Sequence, residues 1–177
     1  AVDITGKDDA VIMEQKKTER INRILTHPSY IEYVSKNAEK EQDRVFCHHD
    51  MGHFLDVARL AEILNLTEAY GQDAELIYAA ALLHDIGRHI QYETGEDHAL
   101  VSARMAPAIL KDCGFMQEET EQIVSAIATH RLAEVRDRKD LNGLLYRADK
   151  LSRPCYCCKQ ESACNWKGDK KNRQLIW

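Results

Sequence analysis

Apolar residues along this chain recur at three- and four-residue intervals, and alternating β-branched runs are absent. After His53, the residues Phe54, Val57, Ala61 and Leu64 return on one face at helical spacing. Leu76-Ile77-Tyr78-Ala79-Ala80-Ala81-Leu82-Leu83 is an unbroken apolar run, as expected of a buried helix. Ile123 and Ile127 share a face with His130, and Leu145, Asp149 and Ser152 share another, with Leu144 and Ala148 beside them. The pattern predicts helices near residues 9–26, 29–39, 50–65, 73–84, 98–112, 117–130 and 141–152. Gly87, Gly95, Gly114 and Gly143 fall at or near the breaks, where a helix ends or a turn needs a positive φ. Pro28 begins a helix after His27, and Pro154 stops one after Arg153. The expected fold is all-α, a single-domain helical bundle without internal repeats.

Composition narrows this picture. With 177 residues the chain is long enough for one sizeable core. A formal net charge of -5 argues against a general nucleic-acid or anionic-membrane binder. No stretch approaches the roughly 18–20 apolar residues of a membrane span. The first residues, Ala1 to Asp9, are polar and acidic rather than basic then apolar, so the expected location is the cytoplasm. The tail from Lys167 to Arg173 is charged and expected in solvent, although Leu175, Ile176 and Trp177 could dock back.

The candidate chemistry centres on His84-Asp85, directly after the apolar run and before Ile86-Gly87-Arg88. A carboxylate buried without a partner costs several kcal/mol or takes up a proton. A divalent metal removes that cost and accepts both side chains as ligands. His53 and Asp149 lie on the apolar faces of two other predicted helices, and His84 is in register with Leu76 and Ala80. Three helices would thus each send a ligand inward. Imidazole with carboxylate suits zinc, iron, manganese or cobalt better than calcium.

His53 in H-F-L-D-V-A-R-L-A, His84-Asp85 in A-L-L-H-D-I-G-R and Asp149 in A-D-K-L-S stand in the order H…HD…D. From about Val45 to Arg153 the chain resembles the HD-domain metal-dependent phosphohydrolases. The resemblance implies a helical HD domain over 45–153, with 1–44 as a helical extension and 154–177 as a cysteine-rich segment packed on it. His98, in H-A-L-V-S-A-R-M-A, and His130, in A-I-A-T-H-R, extend the order to H…HD…H…H…D. That order resembles the dinuclear branch, which includes enzymes cleaving diadenosine tetraphosphate. It implies that Asp85 bridges two ions, the second held by His98 and His130. Either histidine alone also reads as an ordinary core residue.

The implied reaction is hydrolysis of a phosphate ester or anhydride of a nucleotide-like small molecule. A bound divalent ion lowers the pKa of its water toward about 7 and so supplies the nucleophile. Arg88, Arg131 and Lys150 sit beside or close to proposed ligands and could grip the substrate phosphates, or be plain surface charge. His89 is expected in the loop after the ligands, lining the pocket. His49 could touch the edge of the site, although solvent or a supporting place is favoured for both His48 and His49. His27, before Pro28, reads as structural. Two other readings remain open: a mixed-valent di-iron oxygenase, which some HD proteins are, and a metal-holding sensor or partner-binding module without turnover. The oligomeric state does not follow from the chain.

Of six cysteines, Cys155, Cys157, Cys158 and Cys164 form C-x-C-C-x5-C. The cluster reads as a tetrahedral zinc site or an iron–sulfur cluster, or as unrelated reduced thiols. Cys157 and Cys158 are adjacent, which disfavours both binding one ion, so a fourth ligand is borrowed. Cys47 lies six residues before His53, and Cys155 six after Asp149. If those segments run antiparallel from a shared metal, both land on one side, about 9 Å along. The expected set is Cys47, Cys155, Cys158 and Cys164. Cys113, beside Gly114, reads as a lone buried thiol.

Overall fold

A computed structural model describes residues 18–175. The part of the first predicted helix before residue 18 lies outside the described residues. Among them are eight α-helices and no strand: α1 (Glu19–Thr26), α2 (Pro28–Lys40), α3 (Met51–Thr67), α4 (Ala74–Leu83), α5 (Arg88–Thr94), α6 (His98–Asp112), α7 (Gln117–Thr129) and α8 (Leu141–Leu151). Among the described residues no helix is long and apolar enough to cross a membrane.

The apolar run becomes α4, the central helix. Ala79, Ala80, Ala81, Leu82 and Leu83 are fully buried. Three consecutive alanines present little bulk, so α1, α3, α7 and α8 can all close on α4. α6 packs on α7, and α3 and α7 both pack on α8. Arg20 pins α1 to this bundle by donating to Glu75 of α4 and Glu119 of α7, at 2.6 and 2.7 Å.

Helix starts follow the capping rule. Asp50, Asp73, Asp97 and Asp140 each accept a backbone N–H in the first turn of α3, α4, α6 and α8. His27 caps α2 through Nδ1, which accepts from Ser29 N at 3.2 Å, so its structural reading holds.

α5 is an element the sequence pattern did not predict. Its seven residues, RHIQYET, are too few and too polar to show a period. It starts at Gly87 and ends at Gly95, whose φ of 80° only glycine adopts freely. Gly143 lies near a break, in the first turn of α8, and what requires glycine there is close packing: a Cβ would come within 2.1 Å of Arg138 O.

Past α8 the chain makes short 3-10 turns at Cys155–Cys157, Glu161–Ala163 and Gly168–Lys170, none with a buried residue. The segment is held by polar contacts. Asn172 Nδ2 lies 2.9, 3.0 and 2.7 Å from the carbonyls of Lys150, Leu151 and Arg153. Lys171 donates to Glu161. The charged tail is therefore partly docked rather than wholly solvated. Leu175 is exposed, and Ile176 and Trp177 lie outside the described residues.

Candidate metal centre

Five helix ends meet at one place. His53 stands in the first turn of α3, where the Asp50 carboxylate accepts its backbone N–H at 3.0 Å. His84 and Asp85 follow the last turn of α4, His98 opens α6, His130 follows α7, and Asp149 lies in the last turn of α8. Each functional residue stands at or near a helix end, two at helix starts and the others at helix ends, so short side chains from five helices reach one centre. All six residues are buried, at 8% exposure or less.

Asp85 sits in the middle. Its Oδ2 lies 3.3 Å from His84 Nε2 and 3.9 Å from His53 Nε2. Its Oδ1 lies 3.0 Å from His98 Nε2 and 3.7 Å from His130 Nε2. The two oxygens of one carboxylate thus face two pairs of imidazoles. Asp149 Oδ1 joins the first pair, 3.3 Å from His53 Nε2 and 3.8 Å from His84 Nε2. Among the described residues, three overlapping groups bring ligand atoms within 4.8 Å of one another: His53, His84 and Asp85; His84, His130 and Asp149; and Asp85, His98 and His130.

The other ring nitrogen of each histidine is engaged. Nδ1–H of His84 donates to Ala81 O at 2.7 Å, and that of His130 to Ile127 O at 2.6 Å. His98 Nδ1 lies 2.8 Å from Gln91 Oε1, an acceptor, and 3.0 Å from Arg88 Nη1, a donor. His53 Nδ1 faces Ser152 Oγ at 3.5 Å. The carbonyl acceptors place the proton on Nδ1 of His84 and His130 and leave their Nε2 lone pairs turned towards carboxylate oxygens. Acceptors then face acceptors, and His84 Nε2 and Asp85 Oδ1 are buried without a hydrogen-bond partner. A bound cation satisfies such an arrangement. The residues therefore fit a divalent metal centre with nitrogen and oxygen ligands.

The electrostatics agree. Burial raises the carboxyls of Asp85 and Asp149, but surrounding imidazole and cationic charge outweighs it and holds both well below the usual range. Burial lowers His84, yet the two carboxylates pull it up to about 9. Burial, and then the charge on His84, push His130 down to about 3. One proton thus concentrates on the imidazole nearest both carboxylates, where a metal ion would place its charge.

Several supporting residues were not visible in the sequence. Asn37 of α2 is fully buried. Its Nδ2–H donates to Asp85 O at 2.9 Å, while its Oδ1 accepts from His89 N at 2.8 Å and faces His89 Nδ1 at 3.0 Å. His89 stacks on Tyr33 at 5.8 Å, so it faces α2 and does not line the pocket as expected. His49 is buried rather than solvent-facing. Its Nδ1–H donates to Glu41, and its Nε2 accepts from Arg88 Nη2 at 2.6 Å and lies 3.7 Å from Asp85 Oδ2. Tyr92 also donates to Glu41, at 2.6 Å. His48 is exposed, as favoured. Arg153 is buried, with Nη2 3.1 Å from His53 Nε2 and 3.4 Å from Asp149 Oδ1. Its position four residues after Asp149, on the same helical face, was the available signal.

The centre opens into a cavity of about 590 Å³. The expected Arg88, Arg131 and Lys150 all line it, and Arg44 and Arg153 join them. Arg88 Nη1 donates to Gln91 Oε1 at 2.8 Å. Arg131 donates to Asp97 at 2.6 Å, and Lys150 to Asp149 Oδ2 at 2.6 Å. Of the expected cysteine set, Cys47, Cys155 and Cys164 line this cavity and Cys158 does not. No cysteine belongs to the ligand groups found among the described residues, so the four thiols are not gathered as a closed site. Cys47 and Cys155 share this cavity, but without a core the segment beyond Cys155 folds as separate short turns. Cys113 is buried alone at the end of α6.

Comparison with known proteins places this architecture. The HD domain model matches residues 50–153, which contain all six clustered residues. A protein of Clostridium beijerinckii without an assigned function is 44% identical over 90% of this chain and 99% of its own length. Ribonuclease Y of Rubrobacter xylanophilus is 34% identical over 45% of this chain, but that match spans only 14% of the ribonuclease. The crystal structure of a predicted HD superfamily hydrolase from an uncultured Thermotogales bacterium superposes with a TM-score of 0.52 and 31% identity, covering 68% of this chain and 66% of that one. With its motif, helices and buried histidine–aspartate cluster all in place, the chain belongs to the HD domain family.

Proposed function

We propose that this protein is a metal-dependent phosphohydrolase that cleaves a phosphate ester or anhydride of a nucleotide-like small molecule. The observation that carries this reading is the convergence of four imidazole Nε2 atoms on the two oxygens of buried Asp85. His53, His84, Asp85 and Asp149 would hold one divalent ion, and Asp85, His98 and His130 a second, with Asp85 between them. Iron, manganese, zinc or cobalt suits this donor set. Such ions lower the pKa of bound water to about 7 and polarise a phosphoryl oxygen.

The chain's own residues supply the rest. Nδ1–H bonds to the carbonyls of Ala81 and Ile127 lock the His84 and His130 imidazoles in the ligand tautomer. Arg88, Arg131, Lys150, Arg44 and Arg153 give the cavity wall the positive charge that grips phosphate oxygens and neutralises charge developing on the leaving group. The cavity beside the buried centre would hold the substrate against the ions and so orient it.

The test is a substrate panel with metal-reconstituted protein under strict anaerobiosis. Phosphate or nucleotide release from mononucleotides, cyclic nucleotides or dinucleoside polyphosphates, undiminished without oxygen, is expected. Turnover that requires oxygen and releases no phosphate would overturn the reading in favour of oxygen chemistry. Tight metal binding with no turnover across the panel would overturn it in favour of a sensor.

A further inference from the structure

Two aromatic side chains stand on the wall of the metal cavity without belonging to the core. Phe46 lies in the connection between α2 and α3, and Trp166 in the segment after α8; both line the cavity. Each is half-buried, yet neither is among the described side chains that form or pack against the hydrophobic core. An aromatic ring on a cavity wall offers a flat apolar face on which another flat ring can stack. Asn165 lines the cavity beside Trp166 and carries both a donor and an acceptor.

The same cavity has five cationic side chains and two carboxylates in its lining, before any metal charge is added. Its volume of about 590 Å³ lies within the roughly 300–1,000 Å³ of small-molecule sites and exceeds what one phosphoryl group fills. An anionic floor ligand with a flat, hydrogen-bonding aromatic end matches all three features. We propose that Phe46 and Trp166 are the specificity-determining walls of this cavity and that they receive the base of a nucleoside phosphate whose phosphate lies on the metal centre. The proposal rests on the phosphohydrolase reading for the orientation of the phosphate. It makes the segment after Pro154 the element that selects substrate.

Trp166 is one of two tryptophans, so in a Trp177→Phe background its emission reports on the cavity alone. The full, metal-reconstituted chain is mixed with adenosine 5′-monophosphate or with ribose 5-phosphate, which carries the same sugar phosphate without a base. Quenching is read immediately after mixing, and KM and kcat are then measured for both compounds. The nucleotide should quench Trp166 saturably and ribose 5-phosphate should not. Trp166→Ala should raise KM for the nucleotide about 5- to 150-fold, the range given by about 1–3 kcal/mol of stacking on one base, with kcat little changed. Trp166→Phe should recover most of that loss, which a folding defect would not allow. KM for ribose 5-phosphate should stay put in both variants.

If both compounds are hydrolysed with equal kcat/KM and Trp166→Ala affects neither, the base-stacking wall is overturned while the phosphohydrolase reading stands. Base-dependent quenching without any hydrolysis gives the reverse result: the wall stands and the reaction falls. Equal quenching by both compounds also overturns the wall.

Discussion

Glu41 and His49 show how much of this site is held by groups that the motif does not contain. Burial pushes the Glu41 carboxyl up, but hydrogen bonds from His49 and Tyr92 outweigh it and hold it at about 2, below the ordinary 4.5. An acid depressed in the folded state contributes stability that is complete above its unfolded value and is lost as pH falls through its folded value. The Glu41 contribution should therefore disappear between pH 4.5 and about 2. Burial also pushes His49 down to about 4, which adds its own loss between 6.5 and 4. Thermal unfolding of the wild type and Glu41→Gln should show a stability gap that narrows as pH falls from 4.5 towards 2. A gap of constant size across that window would contradict the assignment. Asn37 makes a second case. Removing its amide in Asn37→Ala leaves His89 N buried without a partner and takes from Asp85 O one of its two donors, the other being Arg88 N at 3.1 Å. A buried donor left unpaired costs about 1–3 kcal/mol, so urea unfolding should show a loss of about that size; an unchanged midpoint would contradict the clamp. His53, His84, Asp85 and Asp149 were legible because motif and helical face agreed. Asn37, His49 and Arg153 were not, because a polar residue that will be buried looks in sequence like one that stays in water.

Among the elements, the turn between α4 and α5 carries Asp85, and its geometry depends on close approach to α6. Gly87 N–H donates to Ser102 Oγ at 2.9 Å. A Cβ at Gly87 would meet Val101 Cγ1 at 2.6 Å and Ser102 N at 2.9 Å, one a side chain and the other backbone. Gly87→Ala should therefore force α5 and α6 apart, at about 1–3 kcal/mol for overpacking, and weaken metal binding because Asp85 moves with the turn. Equal stability and equal metal affinity in that variant would show that the turn has slack. The long helices were legible from their apolar period, and their aspartate caps sharpened the starts. The α5 helix was not, since seven polar residues between two glycines carry no period. The segment after Pro154 was equally opaque: it adds no residue to the hydrophobic core, and Asn172 holds it through backbone carbonyls that leave no pattern in sequence.

On the scale of the whole molecule, a bundle wrapped around an alanine-rich central helix brings five helix ends to one point beside a cationic cavity. The fold class follows from composition and period, whereas the cavity wall comes from segments that no period describes. The account stands or falls on whether the buried cluster holds two ions through a shared Asp85. Metal content per chain, measured by mass spectrometry on protein reconstituted without oxygen, tests this directly in the wild type, in His98→Ala/His130→Ala and in Asp85→Ala. The account predicts about two ions in the wild type, about one in the double variant, and loss from both positions in Asp85→Ala. Equal metal content in all three proteins would contradict it.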